Sequence, residues 1–131
     1  MSTLKVATIQ DTSGNNSSTP SEVAQGRAKA WVNFNGDGTV AIRDNFNVSS
    51  ITDNGAGDYT VTFTTAMASA DYCVTGGASE TASGAGYRWL GIGSGIDSNF
   101  AKTTSSVRVQ PVSDSSSKQD APHVYVVIFG D

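Results

Sequence analysis

Twelve carboxylates, one histidine and one cysteine are the groups with which this chain could do chemistry. Hydrolysis needs two carboxylates facing one bond, or a nucleophile with a base and an orienting acid. The acids are Asp11, Glu22, Asp37, Asp44, Asp53, Asp58, Asp71, Glu80, Asp97, Asp114, Asp120 and Asp131. Nearly all fall at turn signals or strand ends, where Asp caps its own backbone. Cys73 lies in the apolar run Tyr72-Cys73-Val74 and reads as a buried small hydrophobe. The only histidine, His123, stands beside Pro122 at the start of a different apolar run. Neither pairing nor spacing predicts a catalytic site, and a single cysteine allows no intrachain disulfide. The chain reads as no enzyme, with no cofactor and no metal.

Two binding patterns merit weighing. Asn33, Asn35, Asp37, Gly38 and Asp44 match ligand positions of an EF-hand-like calcium loop, with Val40 at the apolar position. The first ligand is Asn, the last is Asp, and the flanks alternate as strands. A tight hairpin turn explains Asn35-Gly36-Asp37-Gly38 without an ion. Tyr87, Arg88 and Trp89 sit between Gly-rich loops. Their rings could stack on a sugar while Arg donates hydrogen bonds, or they could be core or subunit contacts.

The elements that must carry these residues follow from composition and period. The chain has 131 residues, which suits one domain. It is 37% hydrophobic and only 15% charged, with Gly, Ser, Thr and Asn filling the gap. That balance disfavours disorder and helical bundles and favours short strands with many turns. The net charge is −4, and the eight basic residues are scattered. Nucleic acid or an anionic membrane as main partner would need them clustered. No apolar run is long enough for membrane insertion as a helix. Met1-Ser2-Thr3-Leu4-Lys5 leads into a polar stretch unlike a secretory signal.

Leu4-Lys5-Val6-Ala7-Thr8-Ile9 reads as a strand, cut off by the polar loop Asp11 to Thr19. Residues 1–18 are therefore expected to be an N-terminal arm and 19–131 the domain. Thr19-Pro20-Ser21-Glu22 is a capping box with proline at the first helical position, and Gly26 is the stop. From Ala28 the period is two: Ala28, Ala30, Val32 and Phe34 share one face, Lys29, Trp31 and Asn33 the other. Thr39 to Arg43 completes a hairpin, and Phe46 to Ile51 is a further strand. Asp58 to Thr64 alternates with Tyr59, Val61 and Phe63 inward and threonines outward. Tyr72–Thr75, Tyr87–Ile92, Ser105–Gln110 and His123–Phe129 complete the set, with loops at 76–86 and 113–120. The last strand is apolar on both faces, so it is central in a sheet or covered by another subunit. Eight or nine short strands predict an all-β domain, a β-sandwich or jelly roll with one short helix. Phe63→Ala and Val127→Ala are expected to be among the most damaging changes, and Trp31→Ala reports which face matters.

Several stretches resemble a known class. Residues 1–14 (Met1-Ser2-Thr3-Leu4-Lys5 onward) resemble the start of small virion proteins of tailed phages, especially phages of marine cyanobacteria. Gly26-Arg27-Ala28-Lys29-Ala30-Trp31-Val32-Asn33-Phe34-Asn35-Gly36, Thr39 to Arg43, Phe46 to Gly55 and Gly57 to Phe63 resemble a domain of phage tail-fibre and appendage proteins. The resemblance covers about half of the chain and fades after residue 72. It implies a β-rich structural domain, commonly trimeric, on the outside of a virion, in contact with other virion proteins and often ending a fibre that touches the host surface, where the glycan weighed above is the expected partner. Leu4, Val6, Ile9, Trp31 and Tyr125 are the expected assembly contacts. The chain has no fibre shaft, so the resemblance also accommodates a capsid decoration protein that stabilises the head.

Overall fold

A computed structural model describes residues 1–79, 88–92 and 102–130. It contains one helix, α1 (Pro20–Gly26), and eight strands: β1 (Ala30–Asn35), β2 (Ala41–Phe46), β3 (Val48–Gly55), β4 (Asp58–Phe63), β5 (Cys73–Ala78), β6 (Arg88–Ile92), β7 (Ser106–Ser113) and β8 (Val124–Phe129). They form two antiparallel four-stranded sheets, in the orders β2-β1-β8-β5 and β3-β4-β7-β6. The all-β, sandwich-like expectation is met. β8 is central, between β1 and β5.

Alternation builds the core. Along β1 the buried residues are Ala30, Val32 and Phe34; along β4 they include Tyr59, Val61 and Phe63. β7 adds Val107 and Val109, and β8 adds Val124, Val126 and Ile128. Each large apolar side chain so buried stabilises by about 1.5–3 kcal/mol. Edge-to-face ring pairs join the layers: Phe34 with Tyr59 at 5.2 Å, and Phe63 with Tyr72 at 5.7 Å. The capping box forms as expected, with Glu22 N donating to Thr19 Oγ1 and Thr19 N donating to Glu22 Oε2.

Several local expectations are corrected. Leu4 to Ile9 makes no strand. Its one pairing is a bridge from Ile9 to Ser18, because no neighbouring strand offers the rest of it backbone partners. Phe46 and Val48 belong to different strands in different sheets. Asn47 between them adopts φ 56°, a left-handed conformation that Asn tolerates. Its amide donates to the carbonyls of Lys29 and Thr65, and its Oδ1 accepts from Thr65 N. One side chain thus pins the corner where the chain changes sheets. Cys73 is exposed, because Tyr72 takes the inward position and the next residue faces away. Val127 is only half-buried, alternating with buried Val126 and Ile128. Gly76 and Gly77, expected in a loop, continue β5. β7 runs past Gln110 through Pro111, where it still pairs with β6 but has left β4, so the missing N–H costs no ladder bond there.

Candidate interaction face

The two sheets differ in what they turn outward. On β3-β4-β7 the outward positions are Thr52, Thr60, Thr62, Ser106 and Arg108, aligned by register. These positions are mostly hydroxylic, and Trp89 on the neighbouring β6, 47% exposed, adds one ring to the same side. On β2-β1-β8-β5 the register aligns Phe46, Trp31, Val127 and Thr75 in one row across all four strands. The next row is Asp44, Asn33, Tyr125 and Gly77, and Phe129 pairs with Cys73 at the end. Phe46 is 53% exposed and Tyr125 43%, while Trp31, Val127 and Phe129 are half-buried. Together these side chains form an aromatic and aliphatic stripe on the outer face of this sheet.

Polar groups also lie near this face. The His123 ring stacks parallel to Tyr125, centroids 6.1 Å apart. His123 Nδ1 and Asn33 Oδ1 are both buried and have no hydrogen-bond partner. Among the described residues the buried atoms Arg88 Nε and Gln110 Oε1 on the other sheet also have none, so the unpaired atoms do not set this face apart.

Among the expected assembly contacts, Trp31 and Tyr125 lie on this face. Leu4, Val6 and Ile9 lie in the N-terminal segment, at 86%, 41% and 53% exposure. Of the expected glycan contacts, Tyr87 is outside the described residues. Arg88 and Trp89 are successive strand residues, so they point to opposite sides of β6. Trp89 is exposed on the hydroxylic side, while Arg88 donates to Gln119 Oε1. The structure does not bring these two together. In the calcium-like loop, the Asn35 amide donates to the carbonyls of Asp37 and Thr39, which is hairpin-turn bonding. Among the described residues no group of three or more His, Cys, Asp or Glu is placed to hold a metal ion.

Sequence reasoning missed a buried ionic cluster. Asp58 is 2% exposed. Arg108 grips it with Nε on Oδ1 and Nη2 on Oδ2, Gln110 Nε2 donates at 3.0 Å, and Lys118 Nζ donates at 3.2 Å. Burial opposes ionisation, but the bonds from Arg108, Lys118 and Gln110 outweigh it and hold the carboxyl below its usual range. Beside it, Asp120 Oδ1 accepts from Gly57 N and lies 2.7 Å from the Tyr59 hydroxyl, which also reaches the Gly36 carbonyl. Burial and the neighbouring Asp120 push the Tyr59 hydroxyl well above the ordinary tyrosine range. The cluster ties the 113–120 loop down over the end of β4. Apart from Asn54, whose amide donates to Asp58 Oδ1 at 3.4 Å, the donors to Asp58 and Asp120 lie 50 or more positions away, so no local pattern announces them. Compared with known protein families, with curated proteins and with solved structures, the chain has no significant match.

Proposed function

We propose that this chain is a non-catalytic structural subunit of a tailed-phage particle, an appendage module that assembles as a homotrimer and presents its loops toward the host surface. The observation that carries the assembly role is the contrast between the two outer faces. Apart from Trp89 the one outer face turns mostly hydroxyls to water, whereas the stripe of Phe46, Trp31, Val127, Tyr125 and Phe129 on the other leaves apolar surface there. Covering it gains about 25 cal/mol per Å² of apolar area removed from water. The phage assignment rests on the resemblance of residues 1–14 and 26–63. A structural role is supported by the chemistry of the buried acid. The Asp58 carboxylate is engaged by donors on both oxygens, which leaves it unsuited to proton transfer.

Sedimentation equilibrium of the purified chain tests the assembly role. A concentration-stable trimer is expected, and a monomer throughout overturns it. Copy number in purified particles separates the two places on a virion. A few copies per particle fit an appendage. Copies in proportion to the major capsid protein would make the chain a head-decoration subunit instead.

A further inference from the structure

The chain contains two Asn-Gly pairs, Asn35-Gly36 and Asn54-Gly55. Asn35 ends β1 and Gly55 ends β3, so each pair leads into a turn. Asn-Gly is the dipeptide most open to deamidation, because no Cβ shields the glycine nitrogen that must attack the Asn carboxamide. The fold treats the two pairs oppositely. Gly36 is buried, and its N–H donates to the Ala121 carbonyl at 2.9 Å. Its surroundings are full, since a Cβ there would stand 2.8 Å from the Tyr59 ring. The Asn35 amide donates to the carbonyls of Asp37 and Thr39, and its Oδ1 accepts from Arg43 Nη2. Asn54 and Gly55 are both exposed, on a strand at the edge of its sheet. Among the described residues nothing lies within 4 Å of where a Gly55 Cβ would be. The Gly55 N–H donates to the Asp53 carboxylate at 2.9 Å. Asn54 Nδ2 donates to Thr60 Oγ1 at 2.9 Å and to Asp58 Oδ1 at 3.4 Å.

We infer that Asn54 is a site of spontaneous deamidation in the folded chain, with Asp53 as the proton acceptor, and that the fold shields Asn35 from the same reaction. Gly55 N attacks Asn54 Cγ while its proton passes to the Asp53 carboxylate. The carboxamide C–N bond then breaks, and the nitrogen leaves as ammonia carrying that proton. Water opens the resulting succinimide at either carbonyl, which leaves aspartate or isoaspartate at position 54. Ring closure requires the carboxamide to leave its bonds and swing onto the next nitrogen. At Asn54 that gives up two side-chain bonds, one of them long, in open surroundings. At Asn35 it gives up bonds to two carbonyls and pulls a buried N–H from Ala121, with the Tyr59 ring against the glycine. The product bears on the fold. A carboxylate at position 54 loses the bond to Asp58 and faces it with like charge. Isoaspartate also lengthens the backbone beside the turn where Gly57 meets Gln119.

Ageing the purified full-length chain at mildly alkaline pH, with the converted sites mapped by peptide mass spectrometry and isoaspartate read by enzymatic methyl transfer, tests this. A second sample ages in urea. The folded chain is expected to convert at Asn54 and to stay intact at Asn35, whereas in urea both sites should convert. Asp53 is exposed, so Asp53→Ala should leave the sandwich folded. It should slow conversion at Asn54 in the folded chain and have little effect in urea. The melting temperature should fall as Asn54 converts. Asn54→Gln, which keeps an amide donor and closes a ring far less readily, should hold its melting temperature over the same period. Equal conversion of Asn35 and Asn54 in the folded chain, or none at Asn54, overturns the inference. An Asp53→Ala chain that ages as fast as the parent overturns the proton transfer to Asp53.

Discussion

Asp58 is the residue whose environment departs furthest from what its neighbours in sequence suggest. A carboxylate at a Gly-rich turn is normally solvated, yet here Arg108, Lys118 and Gln110 surround it. Asp58→Asn should cost about 2–3 kcal/mol in urea unfolding, because Arg108 and Lys118 lose their charge partner in a site closed to water. The unfolded carboxyl takes its proton near 3.8, and the folded one takes it lower. The cluster's stabilisation is therefore whole above about pH 5 and is lost as pH falls through 3.8 toward the folded value. Asp58→Asn should flatten that acid limb. Tyr72 has the opposite sign. Burial pushes its hydroxyl up to about 12 from 10.0. Its contribution is complete below pH 10 and is lost as pH rises through 12. Alkaline unfolding followed by circular dichroism should thus begin later in Tyr72→Phe. None of this was legible locally. The sequence placed Asp58 correctly at a strand start, but partners 50 to 60 positions away become neighbours only once β4, β7 and the 113–120 loop have packed.

Between elements, single residues set where the chain turns. Asn47 holds the step from β2 to β3 with three side-chain bonds in a left-handed backbone. Asn47→Ala should lose about 2–3 kcal/mol by thermal melting, since it forfeits the bonds and strains the backbone. Asn47→Gly should recover the backbone part only. Gly57, at φ 60°, lets the β3–β4 turn meet the 113–120 loop: a Cβ there would stand 2.2 Å from Gln119 N. Gly57→Ala should cost about 2 kcal/mol or more and weaken protection of Tyr59 from hydrogen exchange. The elements themselves were largely readable. Period-two alternation marks β1 and β4 because each covers one side of a core, and the capping box marks α1 by its own side-chain bonds. Where strand identity depends on a neighbour, reading failed in both directions. Leu4 to Ile9 has the pattern but no strand beside it, while Gly76 and Gly77 lack the pattern yet are paired by β8.

For the whole molecule, the division of apolar residues between core and outer face decides which substitutions report folding and which report assembly. Phe63, at 5% exposure and against Tyr72, belongs to the core, and Phe63→Ala should cost about 3–5 kcal/mol. Val127 and Trp31 face outward, so Val127→Ala and Trp31→Ala should each cost under about 1.5 kcal/mol in the isolated chain and act on self-association instead. Sequence reading named Trp31 and Tyr125 as contacts but wrongly put Val127 in the core, because an apolar residue on a central strand serves either side equally well. The position of β8 has one more consequence, for how the protein is made. Strands β1 and β5 lie on either side of β8, and neither has its partner there until the ribosome has delivered residues 124–129. A nascent chain carrying everything up to β7 holds two open sheet edges and lacks Val124, Val126 and Ile128 from its core. Closing the β2-β1-β8-β5 sheet must therefore wait for synthesis of β8, and ribosome-stalled chains lacking it should be protease-sensitive at β1 and β5.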